Sequence, residues 1–352
     1  MAGSTYGEVF KLTTFGESHG EAVGVIVDGV TPGVEIDNAY IQKQMDRRKP
    51  GQSSVTTPRK EYDTINIVSG IYDGKTTGTP MCILLYNTDM KPEAYDDIRN
   101  AFRPGHADYT YLQKYGIRDH RGSGRASGRE TAGRVAAGAV ARKLLERRGV
   151  EIVAYTKSLG GIKCETYDES YIEQNPVRAC DPVAAEKMIN RIHELAAAGD
   201  SCGGIVECRI RGVKPGIGEP VFDKLDAELA KAMLSIGAVK GIEFGAGFAA
   251  AEMLGSEHND PMDASGFLSN NAGGIVGGIS NGAEIVFRVV VKPTSSISKP
   301  QQTMNVRGEE QTIVTIGRHD PSICPRIIPV VEAMASIVLE DLYKRQGALH
   351  DQ

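Results

Sequence analysis

The sequence contains no tryptophan, and its aromatic share is only 6%. A surface that stacks successive bases of a nucleic acid has little to be built from. There is no C-x-x-C pair: Cys82, Cys164, Cys180, Cys202, Cys208 and Cys324 are scattered. That argues against a zinc site or a disulfide framework and fits thiols kept reduced in a cytoplasm. No run of about 18 apolar residues occurs, and residues 1–10 show no basic segment leading into an apolar one, so neither a membrane span nor a secretion signal is expected. Positive charge is not in excess either. Forty Lys and Arg face 45 Asp and Glu, for a net charge of −5, which implies no global attraction to nucleic acid or anionic lipid. The expectation is a cytoplasmic, soluble protein with no metal, no nucleic-acid partner and no membrane.

Glycine, by contrast, is abundant, at 41 of 352 residues, so tight turns and close backbone approaches are expected. Length alone suggests two domains or one large one. No internal repeat, low-complexity tract or linker-like break divides the chain, and a single domain over 1–352 is expected.

Strand and helix patterns interleave throughout. Residues 23–30, 64–69, 80–86, 150–156 and 205–211 read as short strands. Residues 284–292 alternate, with Ile285, Phe287, Val289 and Val291 on one face and Glu284, Arg288 and Lys292 on the other, which suits an antiparallel sheet. A helix is predicted from Ser127, with Ser127 and Glu130 as a capping box and Gly149 as its stop. Its Gly133, Ala137, Gly138 and Ala141 leave it slim enough to be packed on several sides. Further helices are predicted from Asp181-Pro182 to near Gly199, over 225–236 and over 325–343. The pattern does not repeat as βαβ units, and the fold class read from it is α+β.

Two common signatures are present by spacing alone. Gly16-Glu17-Ser18-His19-Gly20 fits G-x-S-x-G, but a strand rather than a helix follows it, so a turn between strands is the better reading. Gly245-Ala246-Gly247-Phe248-Ala249-Ala250 fits the dinucleotide fingerprint. The helix it would open must end by Gly255, and a glycine-rich packing loop is preferred. Neither a Walker A sequence nor H-E-x-x-H occurs.

One stretch stands out by charge. Between Arg99 and Arg134 lie seven Arg and one Lys against three acids, a net +5 island in an acidic chain. A solvated face is the plain explanation. An anion site is the sharper one, because the guanidinium fork suits carboxylate and phosphate. His106 lies inside the island, in a Gly-containing turn like that of His19, and an imidazole beside Arg-bound phosphate is placed to donate a proton. Asp320, in Gly317-Arg318-His319-Asp320-Pro321, is either a general base or a helix cap.

Read together, FGESHG at 15–20, DRRKPG at 46–51, FRPGHADYTYLQKYG at 102–116, RASGRETAGRVAAGA at 125–139, NNAGGIVGGISNG at 270–282, VKPTSSI at 291–297 and GRHDPSICPR at 317–326 closely resemble the chorismate synthase family. The resemblance runs from residue 4 to about 345. It implies a β-α-β sandwich, with a helical layer between antiparallel sheets, assembled as a homotetramer. It implies a lyase of the shikimate pathway, acting in aromatic amino-acid biosynthesis. The reaction implied is anti 1,4-elimination of phosphate from 5-enolpyruvylshikimate 3-phosphate to give chorismate, requiring reduced FMN with no net redox change.

The resemblance also implies roles. His106 would protonate the reduced flavin, His19 would serve the departing phosphate, and Asp320 would accept a proton. Ser18 and Ser127 are relay candidates, with helix capping an equal account of Ser127. The FMN positions are Arg125, Ala126, Ser127, Gly237, Ala238, Gly277, Lys292, Pro293, Thr294, Ser295, Ser296 and Arg318. Arg48, Arg103, Arg129, Arg134 and Arg326 are the substrate candidates, Arg48 and Arg103 foremost, with Arg129 and Arg134 open to a structural role instead. Ser54 stands where the family often has Arg, which puts one phosphate or NADP contact in doubt. Ala126 and Gly237 stand where Ser and Asn are frequent. The compact length resembles monofunctional members, which rely on an external flavin reductase. The rival readings are an FMN-dependent oxidoreductase on the same scaffold, a serine hydrolase using Ser18, and a non-enzymatic anion binder.

Overall fold

A computed structural model describes residues 3–53, 55–56, 61–89, 95–96, 98–315 and 319–349. Two antiparallel sheets of five strands carry the architecture. The first runs β1 (Thr5–Tyr6), β2 (Lys11–Gly16), β3 (Ala22–Asp28), β5 (Met81–Tyr86) and β4 (Asn66–Ser69), in that spatial order. The second runs β9 (Val239–Phe244), β10 (Ile285–Val291), β8 (Gly204–Arg211), β6 (Glu151–Leu159) and β7 (Ile162–Lys163).

Helices fill the space between them. α1 (Asn38–Arg48) and α3 (Thr131–Glu146) lie with α6 (Cys324–Leu349), on which α5 (Leu225–Leu234) also packs; α2 (Asp108–Tyr115) is a further helix, and α4 (Pro182–Ala197) packs against β7. α3 packs on β3 and β5 of the first sheet and along α6, and α6 covers β6 and β8 of the second. This is the expected helical layer between antiparallel sheets. A helix enclosed on all sides is mostly apolar or small all round; from Cys324 to Leu342 every position of α6 but Arg326 is buried, and the buried acids Glu332 and Glu340 are paired, with Arg142 at 3.1 Å and with Arg148 at 2.6 Å.

α3 meets the same demand with small residues. Gly138 has no Cβ, and an added one would stand 2.3 Å from the Ala333 Cβ. That bare spot lets α3 and α6 come together at their crossing. Residues 285, 287, 289 and 291 face the core as the alternation implied. Phe287 stands opposite Cys208 on β8 and Phe244 on β9. On the other face Arg288 bridges Glu207 at 2.7 Å and Glu243 at 3.1 Å.

One local expectation is corrected. Residues Gly128–Glu130 form a 3-10 turn and the α-helix starts at Thr131. Ser127 does cap, but it accepts from the Arg129 N–H. Glu130 does not return to the Ser127 backbone. Its carboxylate takes the Thr14 hydroxyl at 2.8 Å and Arg134 Nε at 2.8 Å. Two partners outside the first turn outcompete the capping box. Residues 16–22 form the turn of the β2–β3 hairpin, so no nucleophile elbow exists at Ser18. Gly245 packs against the backbone of 271–273 and is followed by a 3-10 turn, which leaves no dinucleotide fold there. All six cysteines are thiols.

Candidate active site

Loops together with residues of β2, α2, α3 and α6 line a cavity of about 1170 Å³. Pockets for a single drug-sized ligand span roughly 300–1,000 Å³, so there is room for more than one small molecule. Nine Arg and Lys side chains line it against six carboxylates. Five Arg of the basic island, Arg103, Arg118, Arg125, Arg129 and Arg134, line the cavity, while Arg99, Lys114 and Arg121 are exposed.

Register brings two of its segments together. Val239 pairs with Val291 at the ends of β9 and β10, and the Lys292 N–H donates to the Ala238 carbonyl at 2.9 Å. Ala238 takes a left-handed φ of 72° as the chain turns into β9. The turn bearing His106 reaches the same place, since a Cβ on Gly105 would lie 3.5 Å from the Ser295 Cβ. Arg125, Ala126, Ser127, Gly237, Ala238, Lys292, Thr294, Ser295 and Ser296 all line the cavity. Pro293 and Gly277 do not. Pro293 is exposed, and Gly277 turns the small hairpin between Ile275–Val276 and Ile279–Ser280. Arg318 and Ser54 lie outside the described residues.

His106 and Asp320 both line the cavity. His106 is held by a cluster that the sequence did not flag. Arg103 Nε donates to Asp108 Oδ2 at 2.8 Å and Nη2 to Oδ1 at 2.9 Å. Arg118 Nη1 approaches Oδ1 at 3.1 Å. His106 Nδ1 lies 3.3 Å from the same oxygen, and its Nε2 lies 3.2 Å from Ser123 Oγ. Arg103 Nη2 also donates to Ser123 Oγ. Burial lowers the His106 basicity first, and the Arg103 and Lys292 charges add to that, against the opposing pull of Asp108. Burial pushes the Asp108 carboxyl up, but His106 and Arg103 hold it far below the usual carboxylate range.

His19 sits one layer behind the wall. It is 6% exposed, its Nδ1 is 3.0 Å from Ser18 Oγ, and its ring meets Tyr95 edge-on at 5.2 Å. Gly122, a lining residue, makes this approach feasible: its φ is +61°, and a Cβ there would fall 2.1 Å from His19 Cε1. Ser127 Oγ faces Arg129 N rather than an imidazole. The third imidazole, His319, lines the cavity too, and burial with the Arg103 charge pushes it down to about 4.

The five substrate candidates all line the cavity, but they differ in how far other groups hold them. Arg48 ends α1, is 2% exposed, and is bonded to Asp63. Arg129 grips the other oxygen of Asp63 and donates Nε to Asn87 at 2.8 Å. Arg134 holds Glu130, and its Nη1 donates to Ser235 at 2.6 Å. Arg326 holds Asp320 at 2.5 Å. Arg103 bonds through Nε and Nη2 to Asp108.

Sequence reasoning passed over Asp63, Asp108 and Ser123 as site residues. The spacing Arg103-x-x-His106-x-Asp108 within one turn is the signal for Asp108. Nothing local marks Asp63 or Ser123, which arrive from other loops.

Comparison with known proteins decides the kinship. Residues 10–343 match the family model described as chorismate synthase. The chain belongs to the chorismate synthase family. A chorismate synthase of Syntrophobacter fumaroxidans is 55% identical over 341 residues, covering 97% of each chain. One from Methanosarcina mazei is 54% identical, covering 99% of this chain and 98% of its own. A crystal structure of chorismate synthase superposes with a TM-score of 0.78 at 30% identity, covering 97% of this chain and 93% of that one. Membership of this family makes the chain a lyase, and its fold is the family's α+β sandwich. No helix among the described residues is long and apolar enough to cross a membrane.

Proposed function

We propose that the chain eliminates phosphate from 5-enolpyruvylshikimate 3-phosphate to give chorismate, with reduced FMN bound and no net redox change. The observation that carries this reading is the convergence of His106, Asp320, five Arg, the segments 125–127 and 237–238, Lys292 and the segment 294–296 on one cationic cavity. The substrate brings two carboxylates and a phosphate, and FMN brings another phosphate. A cavity with excess positive charge draws both in and stabilises charge as it develops on the leaving group.

The residues fit FMN. The Thr294 hydroxyl oxygen is buried and, among the described residues, has no hydrogen-bond partner, so a phosphate oxygen would satisfy it. Lys292, half-buried and with no carboxylate bonded to it among the described residues, supplies the charge. Arg125, Ser127, Ala238, Ser295 and Ser296 complete the cradle. The chemistry such a flavin supplies, when bound, is transient electron donation as the allylic phosphate leaves and acceptance of the C6 hydrogen.

The chain's own part is to bind, orient and move protons. Arg103 serves the substrate anions, with Arg326 and Arg134 at the wall. His106 governs the proton at the flavin, His19 with Ser18 serves the departing phosphate, and Asp320 takes up a proton as the product forms. The chain works as one domain over 1–352 and as a cytoplasmic homotetramer, and an external reductase supplies its flavin.

Anaerobic mixing of protein, substrate and photoreduced FMN should release phosphate and chorismate in equal amounts with no NADPH consumed. His106→Ala and His19→Ala should each lose most of this turnover while keeping the fold. Absence of chorismate under these conditions, or wild-type rates in both variants, would overturn the assignment.

A further inference from the structure

The two hydrogens on Arg103 Nη2 decide the state of His106. One goes to Asp108 Oδ1 at 2.9 Å and the other to Ser123 Oγ. Neither remains for His106 Nδ1, 3.3 Å away. The tautomer that avoids setting a bare Nδ1 against a carboxylate oxygen carries its hydrogen on Nδ1, directed at Asp108 Oδ1 3.3 Å away, and has Nε2 bare. Nε2 faces Ser123 Oγ at 3.2 Å. That oxygen already accepts from Arg103, so its hydroxyl hydrogen points to Nε2.

Ser123 also occupies a position that favours glycine. Its φ is +78°, and it is 8% exposed on the cavity wall. A left-handed backbone is disfavoured for an L-residue. A side chain kept there against that cost is explained by what its hydroxyl does.

We propose that Ser123 is the positioning residue of His106: pinned by Arg103, its hydroxyl fixes the imidazole in the Nδ1–H form and carries protons between Nε2 and the ligand in the cavity. The transfer conserves protons. As protonated Nε2 gives its proton to Oγ, Oγ gives its own to the ligand, and the hydroxyl is restored. The use of this relay in turnover rests on the elimination reading above, whereas the state of the imidazole does not. Ser127, the relay candidate by resemblance, is turned to Arg129 N instead.

The groups facing His106 are Asp108, Arg103, Lys292 and His319, with Arg118 acting through Asp108. Of these only Asp108 favours the imidazolium. A hydroxyl donating to Nε2 disfavours it further, so removing that hydroxyl should raise the pH at which His106 titrates.

The test is Ser123→Gly in the full-length protein, read by ¹⁵N NMR of labelled histidine. Wild type should show a protonated Nδ1 and a bare Nε2. The variant should show mixed tautomers, a titration moved upward, and an acid limb of the pH–rate profile moved the same way. Turnover should fall about tenfold, a modest share of what general acid–base catalysis supplies. The unfolding midpoint should hold or rise, because glycine relieves the backbone. Ser127→Ala should leave the tautomer of His106 as it is.

A wild-type tautomer and titration in Ser123→Gly would overturn the proposal. So would a turnover loss accompanied only by a lower unfolding midpoint. The NMR signals need no substrate. Should the chain fail to make chorismate, the functional reading falls while the tautomer still judges Ser123.

Discussion

Asp320 accepts a hydrogen bond from Arg326 Nη1 at 2.5 Å, and both side chains face the cavity. Arg326 is itself anchored, since its Nε donates to the Arg48 carbonyl at 3.3 Å at the end of α1. The carboxylate is thus aimed by the first turn of α6 rather than left to a loop. Asn in its place keeps the shape and the oxygen that Arg326 needs, but it cannot take up a proton. Asp320→Asn should therefore bind substrate at near wild-type concentrations and slow single-turnover phosphate release by about 100-fold or more. Lost binding with unchanged chemistry would refute the proton-acceptor role.

Asp63 is 2% exposed and joins Arg48 to Arg129. Burial pushes its carboxyl up, but the two guanidinium groups more than reverse this and hold it below its ordinary 3.8. A depressed folded value means the stabilisation is present above about pH 4 and disappears as pH falls through that value. Asp108 acts in the same direction. The urea midpoint should fall as pH drops below about 4. Asp63→Asn keeps a residue that tolerates the φ of 48° yet strands two buried cations. It should cost about 3–5 kcal/mol at pH 7, and an unchanged midpoint would show the cations to be solvated.

The fold was legible where periodicity is strong. The alternation over 284–292 gave the core face of β10, and the small residues after Thr131 gave a helix enclosed by neighbours. The ends were less legible. Ser127 and Glu130 have the right types and spacing for a capping box, but Glu130 finds Thr14 and Arg134 in three dimensions. At the site, the family resemblance pointed to His106, Asp320 and most of the other residues that line the cavity. Their anchors were not. Asp63 serves Arg48 from fifteen residues away, and Ser123 serves His106 from seventeen, across turns that no local pattern encodes. The cationic island was visible as composition, while the placing of five of its Arg on the cavity depends on tertiary packing.

His319 separates from the aspartates by its pH window. Burial lowers its affinity for protons, and the Arg103 charge adds to that, bringing it from 6.5 to about 4. As pH falls below 6.5 the unfolded chain binds this proton first, so native stability declines until about pH 4, where the folded form is protonated too. His319→Gln should flatten the stability-versus-pH slope between pH 6.5 and 4.5 and leave the steeper acid transition of Asp63 and Asp108 in place. Urea midpoints at three pH values in that range decide it, and an unchanged slope would mean that His319 is solvated.

Gly138 tests whether the α3–α6 crossing supports the cavity. By helix propensity alone, Gly138→Ala should stabilise α3 by about 1 kcal/mol. The new Cβ, however, would stand 2.3 Å from the Ala333 Cβ and 2.5 Å from its Cα. A helix backbone cannot yield as a flexible side-chain tip does, and overpacking of this kind costs about 1–3 kcal/mol. The crossing should therefore win, and the variant should melt lower than wild type. α6 carries Ile327, Val330 and Met334 to the cavity lining, so the same displacement should weaken FMN binding in a fluorescence titration. A variant that melts higher than wild type would mean that the two helices separate freely, and that the cavity wall they form is not fixed by their contact.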